Sequence, residues 1–451
     1  MKMNTRSVLL YSSLTAALAL SLIGCNNDSG STASKELAAL QAQQAKNAGN
    51  FSNTVFLGDS LTAGFQSGSL LDTTQVHGWA PVLAAQAGFN IIQPLIAYPG
   101  APNVLQLVSL GPPPVITTAP GTTTGRDNFA TQVTDLAVPG ALLNDVMNTV
   151  PLVNPAPGQQ QLNQLVLGLP GLGYGVADSQ ASFAVKAQPT TIFLWIGNND
   201  ALVADETGMP SSMTSVANFT SQYQALITEL TTMAPAHLVI ANIPDVTKVP
   251  YLTPAALVLG EVSAETGYPT SVLSQLLGIV PGDLVNPTGT AEIPLILGGQ
   301  QQGPISDAGV LSAAEVVTVQ AQVTAFNQVI AAQAKAANAT LVDINALFNQ
   351  VTTNGLTING YTGTSSFLGG FFALDGIHPT NVGYAVVANT FIDAMNTAIS
   401  TKIADVPLGP IAAADPYWPP NLGATVGSAA RPRIIPANAG KAIAAIIGKK
   451  Q

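Results

Sequence analysis

The sequence predicts an α/β protein built on a parallel sheet, and three observations lead to this fold class. Several short runs are apolar throughout and rich in β-branched or aromatic residues, as expected for strands that are covered on both faces. Stretches of helical composition separate these runs, so strands and helices alternate along the chain. Of the 451 residues, 47% are hydrophobic and only 8% are charged, which is ample for a large core.

The predicted strands are short apolar runs that end at Gly, Pro or Asn. The first is Thr54–Leu57, and Asn90–Ile96 is a candidate for the second. The strongest strand signal is Thr190–Ile196, because a continuous apolar run is typical of a central parallel strand. His237–Ile243 and Thr340–Ile344 are the two strands expected further along the chain.

Helices are predicted between the strands from composition, length and end signals. Ser312 is followed three residues later by Glu315, and this capping box predicts the start of a long helix. Short helical pieces are expected within Tyr251–Ile305. The longer expected helices are Leu61 onward, Trp79–Ala87, Leu142 onward, Ser179–Ala187, Ser215–Met233, Ser312 to about Asn338, and Asn381–Ser400.

Segments rich in Gly and Pro interrupt this alternation and are predicted as insertions near residues 101–130, 150–178 and 251–311. Ala101–Asp127 is expected to be an irregular loop or a small hairpin, and Pro155–Ala177 an irregular loop. The insertions are placed within one predicted domain that spans residues 51–400, and a Pro-rich extension without a clear period follows at 401–451.

The N-terminus has the marks of a secretory signal: basic residues, then an apolar run over residues 8–23. The ending Leu22-Ile23-Gly24-Cys25 resembles a bacterial lipobox, which implies cleavage before Cys25 and lipidation of its thiol. Residues 1–24 are therefore predicted to be a lipoprotein signal peptide and residues 25–50 a lipidated tether. The alternative is an ordinary signal peptide with a chance cysteine. The lipidated form predicts anchoring to a membrane of the bacterial cell envelope, at the outer membrane or cell surface.

Charge and metal-ligand content narrow the classes of partner. The formal net charge of −10 argues against nucleic acid, because phosphate binding needs clustered Lys and Arg. Three histidines and one cysteine leave little material for a metal site, and neither HExxH nor CxxC occurs. No metal and no cofactor are therefore expected.

Four polar stretches lie at strand ends or in loops, where the ligand crevice of a parallel sheet is found. A serine on a tight turn needs a base to become a nucleophile, and an Asp three residues before a His is placed to orient such a base. A glycine lets backbone approach a ligand, and asparagine supplies an amide donor. The stretches are Gly58-Asp59-Ser60-Leu61, Val138-Pro139-Gly140-Ala141, Gly197-Asn198-Asn199-Asp200 and Leu374-Asp375-Gly376-Ile377-His378-Pro379.

In this order and at these distances, the four stretches resemble the GDSL (SGNH) hydrolase family from about Asn53 to Ser400. The resemblance implies a flavodoxin-like three-layer α/β/α sandwich and ester hydrolysis without a metal. One departure is the glycine stretch LAVPGA, which lacks the asparagine often found shortly before that glycine in the family.

The resemblance also implies a role for each site residue. Ser60 is implied to be the nucleophile, His378 the base that deprotonates it, and Asp375 the group that orients His378. The implied oxyanion hole consists of the backbone N–H groups of Ser60 and Gly140 and the side-chain amide of Asn199. Of the other two histidines, His237 is expected to be structural, and His77 to have a surface or capping role, with a contact at the rim of the site as the alternative. Asp59 and Asp200 are expected to support the site.

The predicted function is therefore a serine ester hydrolase of the esterase or lipase type, with medium or long acyl chains favoured. The preference for longer acyl chains rests on the apolar insertion Tyr251–Ile305. This insertion either packs on the core or caps an acyl chain, and a combination of the two roles is favoured. A carbohydrate deacetylase with the same three residues is the first alternative. A non-catalytic envelope protein is the second, and it is disfavoured because every member of the constellation is present.

Overall fold

Strands and helices alternate along the chain as the sequence predicts. The computed structural model describes residues 49–111, 114–127, 131–168, 178–233, 236–426, 434–438 and 443. The strands are β1 (Thr54–Gly58), β2 (Leu105–Ser109), β3 (Val115–Thr118), β4 (Thr191–Trp195), β5 (His237–Ala241), β6 (Thr253–Pro254), β7 (Leu284–Val285), β8 (Val310–Leu311), β9 (Thr340–Val342), β10 (Leu356–Ile358) and β11 (Tyr361–Gly363). The helices are α1 (Asp72–Gln75), α2 (Trp79–Ala87), α3 (Leu143–Asn148), α4 (Gln159–Leu167), α5 (Gln180–Ala187), α6 (Asn198–Thr207), α7 (Val216–Met233), α8 (Ala255–Thr266), α9 (Thr270–Leu277), α10 (Pro287–Leu297), α11 (Ala313–Ala336), α12 (Ile344–Asn354), α13 (Asn381–Ala398), α14 (Leu408–Ala414) and α15 (Pro419–Val426).

The central sheet is parallel and has the strand order β1-β4-β5-β9. A fifth segment, residues 134–138, runs along the free edge of β1: Phe56 N–H donates to Thr134 O at 2.9 Å and Val138 N–H to Gly58 O at 3.1 Å. With this segment as the second strand in chain order, the sheet has the 2-1-3-4-5 order of flavodoxin-like folds. The order reverses beside β1, and ligand crevices form at such a switch point.

Alternate residues of the strands face two separate hydrophobic clusters, which makes the molecule a three-layer sandwich. One cluster joins Leu57, Leu194 and Ile240 to helices α7 and α11. The other joins Phe56 and Phe193 to helices α2 and α13. Strands buried on both faces explain the continuous apolar runs of the sequence. The predicted α/β/α architecture is confirmed.

Two sequence-based predictions around the first strand are wrong. Asn90–Ile96 is irregular, because the edge position beside β1 is taken by residues 134–138 and because Pro94 cannot donate to a ladder. No helix begins at Leu61; the chain makes turns up to Gly64, whose φ of +74° ends the right-handed path, and α1 begins only at Asp72.

The insertions contain more regular structure than predicted. Residues 101–127 form the expected hairpin, β2 with β3. Helix α4 lies inside the segment predicted as an irregular loop, of which residues 169–177 lie outside the described residues. The insertion after Tyr251 has the short helices expected, α8 to α10, but their apolar residues form a separate cluster with each other rather than packing on the sheet.

The C-terminal extension is packed into the main core. Its helices α14 and α15 carry the buried residues Ala412 and Leu422, and Trp418 between them is 2% exposed. The irregular spacing of these residues left no period in the sequence. None of the helices in the described part of the chain is long and apolar enough to span a membrane.

Candidate active site

Ser60 lies at the carboxyl end of β1, where the sheet stops and a turn begins. Gln180 fastens this end, since its amide accepts from Gly58 N–H at 2.9 Å and donates to Gly58 O at 3.0 Å. A Cβ atom at Gly58 would lie 2.5 Å from Trp195 O, so only glycine fits beside β4. The turn is closed by Ala63 N–H, which donates to Asp59 O at 3.1 Å. The result is a serine held on a rigid strand end.

Three polar donors converge beside this turn. Residues 134–138 run parallel to β1 and deliver Gly140, whose φ is +77°. Asn199 Nδ2 donates one hydrogen to Ala141 O at 2.9 Å, which places the amide next to Gly140 and leaves its second hydrogen available. Among the described residues, neither Ser60 N–H nor Gly140 N–H has a hydrogen-bond acceptor. Unpaired, preorganised donors of this kind suit an oxyanion.

Asn199 is positioned by the way β4 turns into α6. Gly197 makes the turn with φ +110°, and a Cβ there would lie 2.9 Å from the ring of Phe219. Asp200 then ties two further segments, since its carboxylate accepts from Leu143 N–H at 2.8 Å and from Thr214 Oγ1 at 2.6 Å. The supporting role predicted for Asp200 is what these bonds provide. Burial raises the pKa of Asp200 to about 6.

Asp375 and His378 form a buried pair on the loop before α13. His378 Nδ1 lies 3.0 Å from Asp375 Oδ2, and that oxygen also accepts from Gly68 N–H at 2.7 Å. Asp375 Oδ1 accepts from the backbone N–H groups of Ile377 and His378, each at 2.9 Å. Burial by itself raises the pKa of Asp375, but the charge of His378 and these hydrogen bonds outweigh it, so the net pKa lies below the usual value.

The second ring nitrogen of His378, Nε2, is available to accept a proton. With Nδ1 donating to Asp375, Nε2 carries the acceptor lone pair. Nε2 is buried and has no hydrogen-bond partner among the described residues. The ring of Phe65 packs on the imidazole with a centroid distance of 4.7 Å. A buried, oriented imidazole with a free Nε2 has the geometry of a general base.

The fold brings the Ser60 turn and the His378 loop together although more than 300 residues separate them. Phe65, which packs on His378, donates its N–H to Ser60 O at 3.0 Å. The charge of His378 also acts on Asp59, the residue before the serine. Ser60 Oγ and His378 Nε2 are not hydrogen-bonded to each other, a common state of such pairs without substrate.

Asp59 stabilises the turn after β1 through two hydrogen bonds of its carboxylate. Its Oδ1 accepts from Leu61 N–H at 3.0 Å and its Oδ2 from Asn198 Nδ2 at 2.8 Å. Burial raises the pKa of Asp59 to about 6. The carboxylate therefore links the turn after β1 to the first residue of α6, which carries Asn199.

The remaining two histidines are His237, which begins β5, and His77, which precedes α2. His237 Nε2 pairs with Thr340 Oγ1 at 2.9 Å between β5 and β9, in agreement with the structural role predicted for it. His77 is exposed beside α2, and its pKa is lowered mainly by desolvation. Within the described ranges, no group of three or more His, Cys, Asp or Glu side chains is placed to hold a metal ion.

Two contributors were missed by the reasoning from sequence. Gln180 supports the strand end and Gly68 donates to Asp375, yet neither belongs to a recognisable motif. Both act through contacts between segments more than 100 residues apart, so no local pattern marks them.

The sandwich carries Ser60 at the switch point of the sheet, and the buried Asp375–His378 pair lies on a loop that packs against the Ser60 turn. The sequence model of the GDSL-like lipase/acylhydrolase family matches residues 54–391. The chain belongs to this family and is a carboxylic ester hydrolase.

Solved structures of similar fold include esterases. LAE5, an α/β hydrolase from the metagenome of Lake Arreo in Spain, is 12% identical with a TM-score of 0.34, and the match covers 78% of this chain and 97% of that one. Axe2, an acetylxylan esterase from Geobacillus stearothermophilus, is 12% identical with a TM-score of 0.33, and the match covers 77% and 96%. For a GDSL-like lipase from Parabacteroides merdae the values are 10%, 0.33, 77% and 97%. No curated protein matches the chain. TM-scores this low decide nothing about the substrate.

Proposed function

We propose that the protein hydrolyses carboxylic esters through an acyl-enzyme on Ser60. The observation that carries this proposal is the buried His378, held by Asp375 at 3.0 Å with Nε2 free, on a loop packed against the Ser60 turn. In the first step Nε2 takes the proton of Ser60 Oγ while Oγ bonds to the ester carbonyl carbon. Asp375 stabilises the imidazolium that results.

The tetrahedral intermediate places a negative charge on the former carbonyl oxygen. Ser60 N–H, Gly140 N–H and the free hydrogen of the Asn199 amide donate to this oxygen. Each such donor contributes about 3 kcal/mol to the stability of the transition state, or roughly 10²- to 10³-fold in rate. The intermediate then breaks its bond to the leaving alcohol, which receives the proton from Nε2. Water, deprotonated by the same nitrogen, releases the acid from Ser60 in the second half of the reaction.

Medium acyl chains are the substrates that the surroundings of the site favour. A cavity of about 80 Å³ begins beside Leu61, the residue after the nucleophile, and beside Ile377 and Pro379, which flank His378. All of its lining side chains are apolar or aromatic, so sugar hydroxyls gain no hydrogen bonds there. The cavity is several times larger than the roughly 10–15 Å³ that a single water-sized group requires, so it has room for more than an acetyl group.

Helix α12 forms the wall of this cavity. Ile344, Leu347, Phe348 and Val351 line it from one helix face, at the i, i+3, i+4, i+7 spacing of an apolar stripe. The helix follows β9, which lies three strands from β1, roughly 14 Å at ordinary strand spacing. Val351 lies two helical turns along α12 from Ile344, and we assign it to the end of the cavity away from Ser60. The apolar insertion after Tyr251, expected to cap an acyl chain, contributes none of these lining residues.

A panel of p-nitrophenyl esters from acetate to palmitate tests both parts of the proposal. The wild type is expected to be most active on hexanoate and octanoate, because these chains fill the cavity. Val351→Phe fills its far end, so kcat/KM for octanoate falls about tenfold or more while acetate is unchanged.

Val317→Phe is the matched control, since Val317 is 65% exposed on α11. A wild-type profile that peaks at acetate would contradict the preference for medium chains and favour a deacetylase. No hydrolysis of any ester would contradict the proposed reaction.

We also propose that the mature protein is lipid-anchored in the bacterial cell envelope. Cys25 lies outside the described residues, so the support is the lipobox-like ending Leu22–Cys25 and the polar residues between it and the domain. Cys25→Ser is expected to move the protein from the membrane fraction to the soluble fraction on cell fractionation. Retention of that variant in the membrane fraction would count against the anchor.

A further inference from the structure

A tight turn at Gln66–Ser69 presents a backbone N–H donor to the carboxylate of Asp375. Gln66 N–H donates to Ser69 O at 3.0 Å and Ser69 N–H to Gln66 O at 3.1 Å, so only two residues form the loop. Ser67 has φ +50° and Gly68 φ +76°, the signs of a type I′ turn. Serine rarely adopts this left-handed conformation, so the surroundings must hold it.

The turn determines where the carboxylate of Asp375 lies. Gly68 N–H donates to Asp375 Oδ2 at 2.7 Å, and this same oxygen is the partner of His378 Nδ1. A displacement of the turn therefore displaces the oxygen that orients the imidazole.

The C-terminal extension contacts the Gln66–Ser69 turn through Tyr417. The Tyr417 hydroxyl interacts with the buried side chain of Ser67, and Ser67 Oγ accepts from Leu374 N–H at 3.4 Å. Tyr417 is itself fixed, since its N–H donates to Asp415 Oδ1 at 2.8 Å. Asp415 Oδ2 accepts from Val382 N–H at 2.9 Å in the first turn of α13, the helix that follows His378.

A second contact from the extension reaches the loop between the two members of the pair. Ile435 is fully buried and packs on Gly376, where a Cβ would lie 2.5 Å from its Cδ1 atom. The extension thus contacts the Gln66–Ser69 turn, the loop between Asp375 and His378, and helix α13.

We propose that the C-terminal extension positions the Asp375–His378 pair, with Tyr417 and Ser67 as its positioning residues. The proposal rests on the proposed reaction at Ser60 and adds a role for a segment that the sequence left without one. Tyr417 and Ser67 act through the turn and its donor at Gly68.

Tyr417→Phe and Ser67→Gly test this coupling without removing packing or blocking the φ of the turn. Each is expected to lower kcat for p-nitrophenyl hexanoate about three- to tenfold with KM unchanged, because ester binding does not use them. The double variant is expected to match the more affected single variant, because both changes remove the same interaction between the extension and the turn.

The pH profile separates positioning from simple support of the fold. A poorly placed Asp375 stabilises the imidazolium less, so the acid limb of kcat/KM moves to lower pH in both variants. The other titratable groups that interact with the pair are Asp59 after β1 and Tyr384 on α13, and Asp415 interacts with Tyr417. They are unchanged in these variants.

Tyr223→Phe is the matched control for the loss of a tyrosine hydroxyl. Tyr223 is fully buried in the α7–α11 core, and its hydroxyl has no hydrogen-bond partner among the described residues. Its kcat and acid limb are expected to match the wild type.

Additive effects of Tyr417→Phe and Ser67→Gly, or an unshifted acid limb, would overturn the positioning role. Should Tyr417→Phe fail to fold by circular dichroism, Ser67→Gly alone decides through its kcat and acid limb. A wild type that hydrolyses no ester would overturn the proposed reaction instead, so the two failures are distinct.

Discussion

Replacing Ser60 with alanine is expected to lower kcat for p-nitrophenyl hexanoate by about 10⁴- to 10⁶-fold. The oxygen that attacks the carbonyl is then absent, and water must react without an acyl-enzyme. The fold is expected to remain, because the substitution removes a single oxygen atom from a small side chain. Steady-state kinetics with a circular dichroism melt measures both expectations.

A fluorophosphonate probe gives a second readout of the same residue. It is expected to modify Ser60 of the wild type, as mapped by peptide mass spectrometry, and to leave Ser60→Ala unlabelled. Thr62→Val is the nearby control, since the Thr62 hydroxyl is buried without a partner among the described residues and is removed without loss of shape. Substantial ester hydrolysis by Ser60→Ala would refute the nucleophile assignment.

Asp375→Asn is expected to lower kcat by about 10⁴-fold. Both carboxylate oxygens accept hydrogen bonds from N–H groups: Oδ1 from the backbone of Ile377 and His378, and Oδ2 from Gly68 and the His378 ring. An amide nitrogen in either place meets two donors, so an asparagine cannot satisfy the site in either orientation. The His378 tautomer with Nε2 free is lost with it.

The same substitution changes how stability depends on pH. The pKa of Asp375 is lower in the folded protein than its usual value, so its charge stabilises the fold above that usual value. This contribution is lost as the pH falls through the lower, folded pKa. The melting temperature of the wild type is therefore expected to fall in acid more steeply than that of Asp375→Asn.

Asp307→Asn is the matched control for this change, because Asp307 is exposed on the surface of the insertion. Its kcat and its melting temperature at each pH are expected to equal those of the wild type. A loss of less than tenfold in Asp375→Asn would mean that another group orients His378.

The arrangement of the site was largely readable from the sequence, because each member sits in a short local pattern. Ser60 follows an apolar strand, Asn199 follows the strongest strand, and Asp375 lies three residues before His378. In a parallel sheet the carboxyl ends of the strands meet at one edge, so local patterns predict a shared site. Gln180 and Gly68 were not predictable, since they reach the site from distant segments with no motif of their own.

The errors have physical causes as well. Residues 90–96 have the composition of a strand, but residues 134–138 hold the only edge beside β1. Amino-acid composition does not determine which of two apolar segments pairs with a strand. The apolar insertion was expected to combine packing on the core with capping of an acyl chain; its buried side chains instead form a cluster with each other, and α12 lines the cavity beside Leu61.

The sequence by itself determined the α/β alternation and the family's serine, asparagine, histidine and aspartate, because periodicity and short spacings express local geometry. Only the tertiary structure decided what surrounds them: the donor of Gly68 on Asp375, the cavity along α12, and the C-terminal extension behind the pair. These depend on contacts between residues hundreds of positions apart, such as Ser67 with Tyr417. Such contacts follow from the packing of the whole chain and leave no period in it.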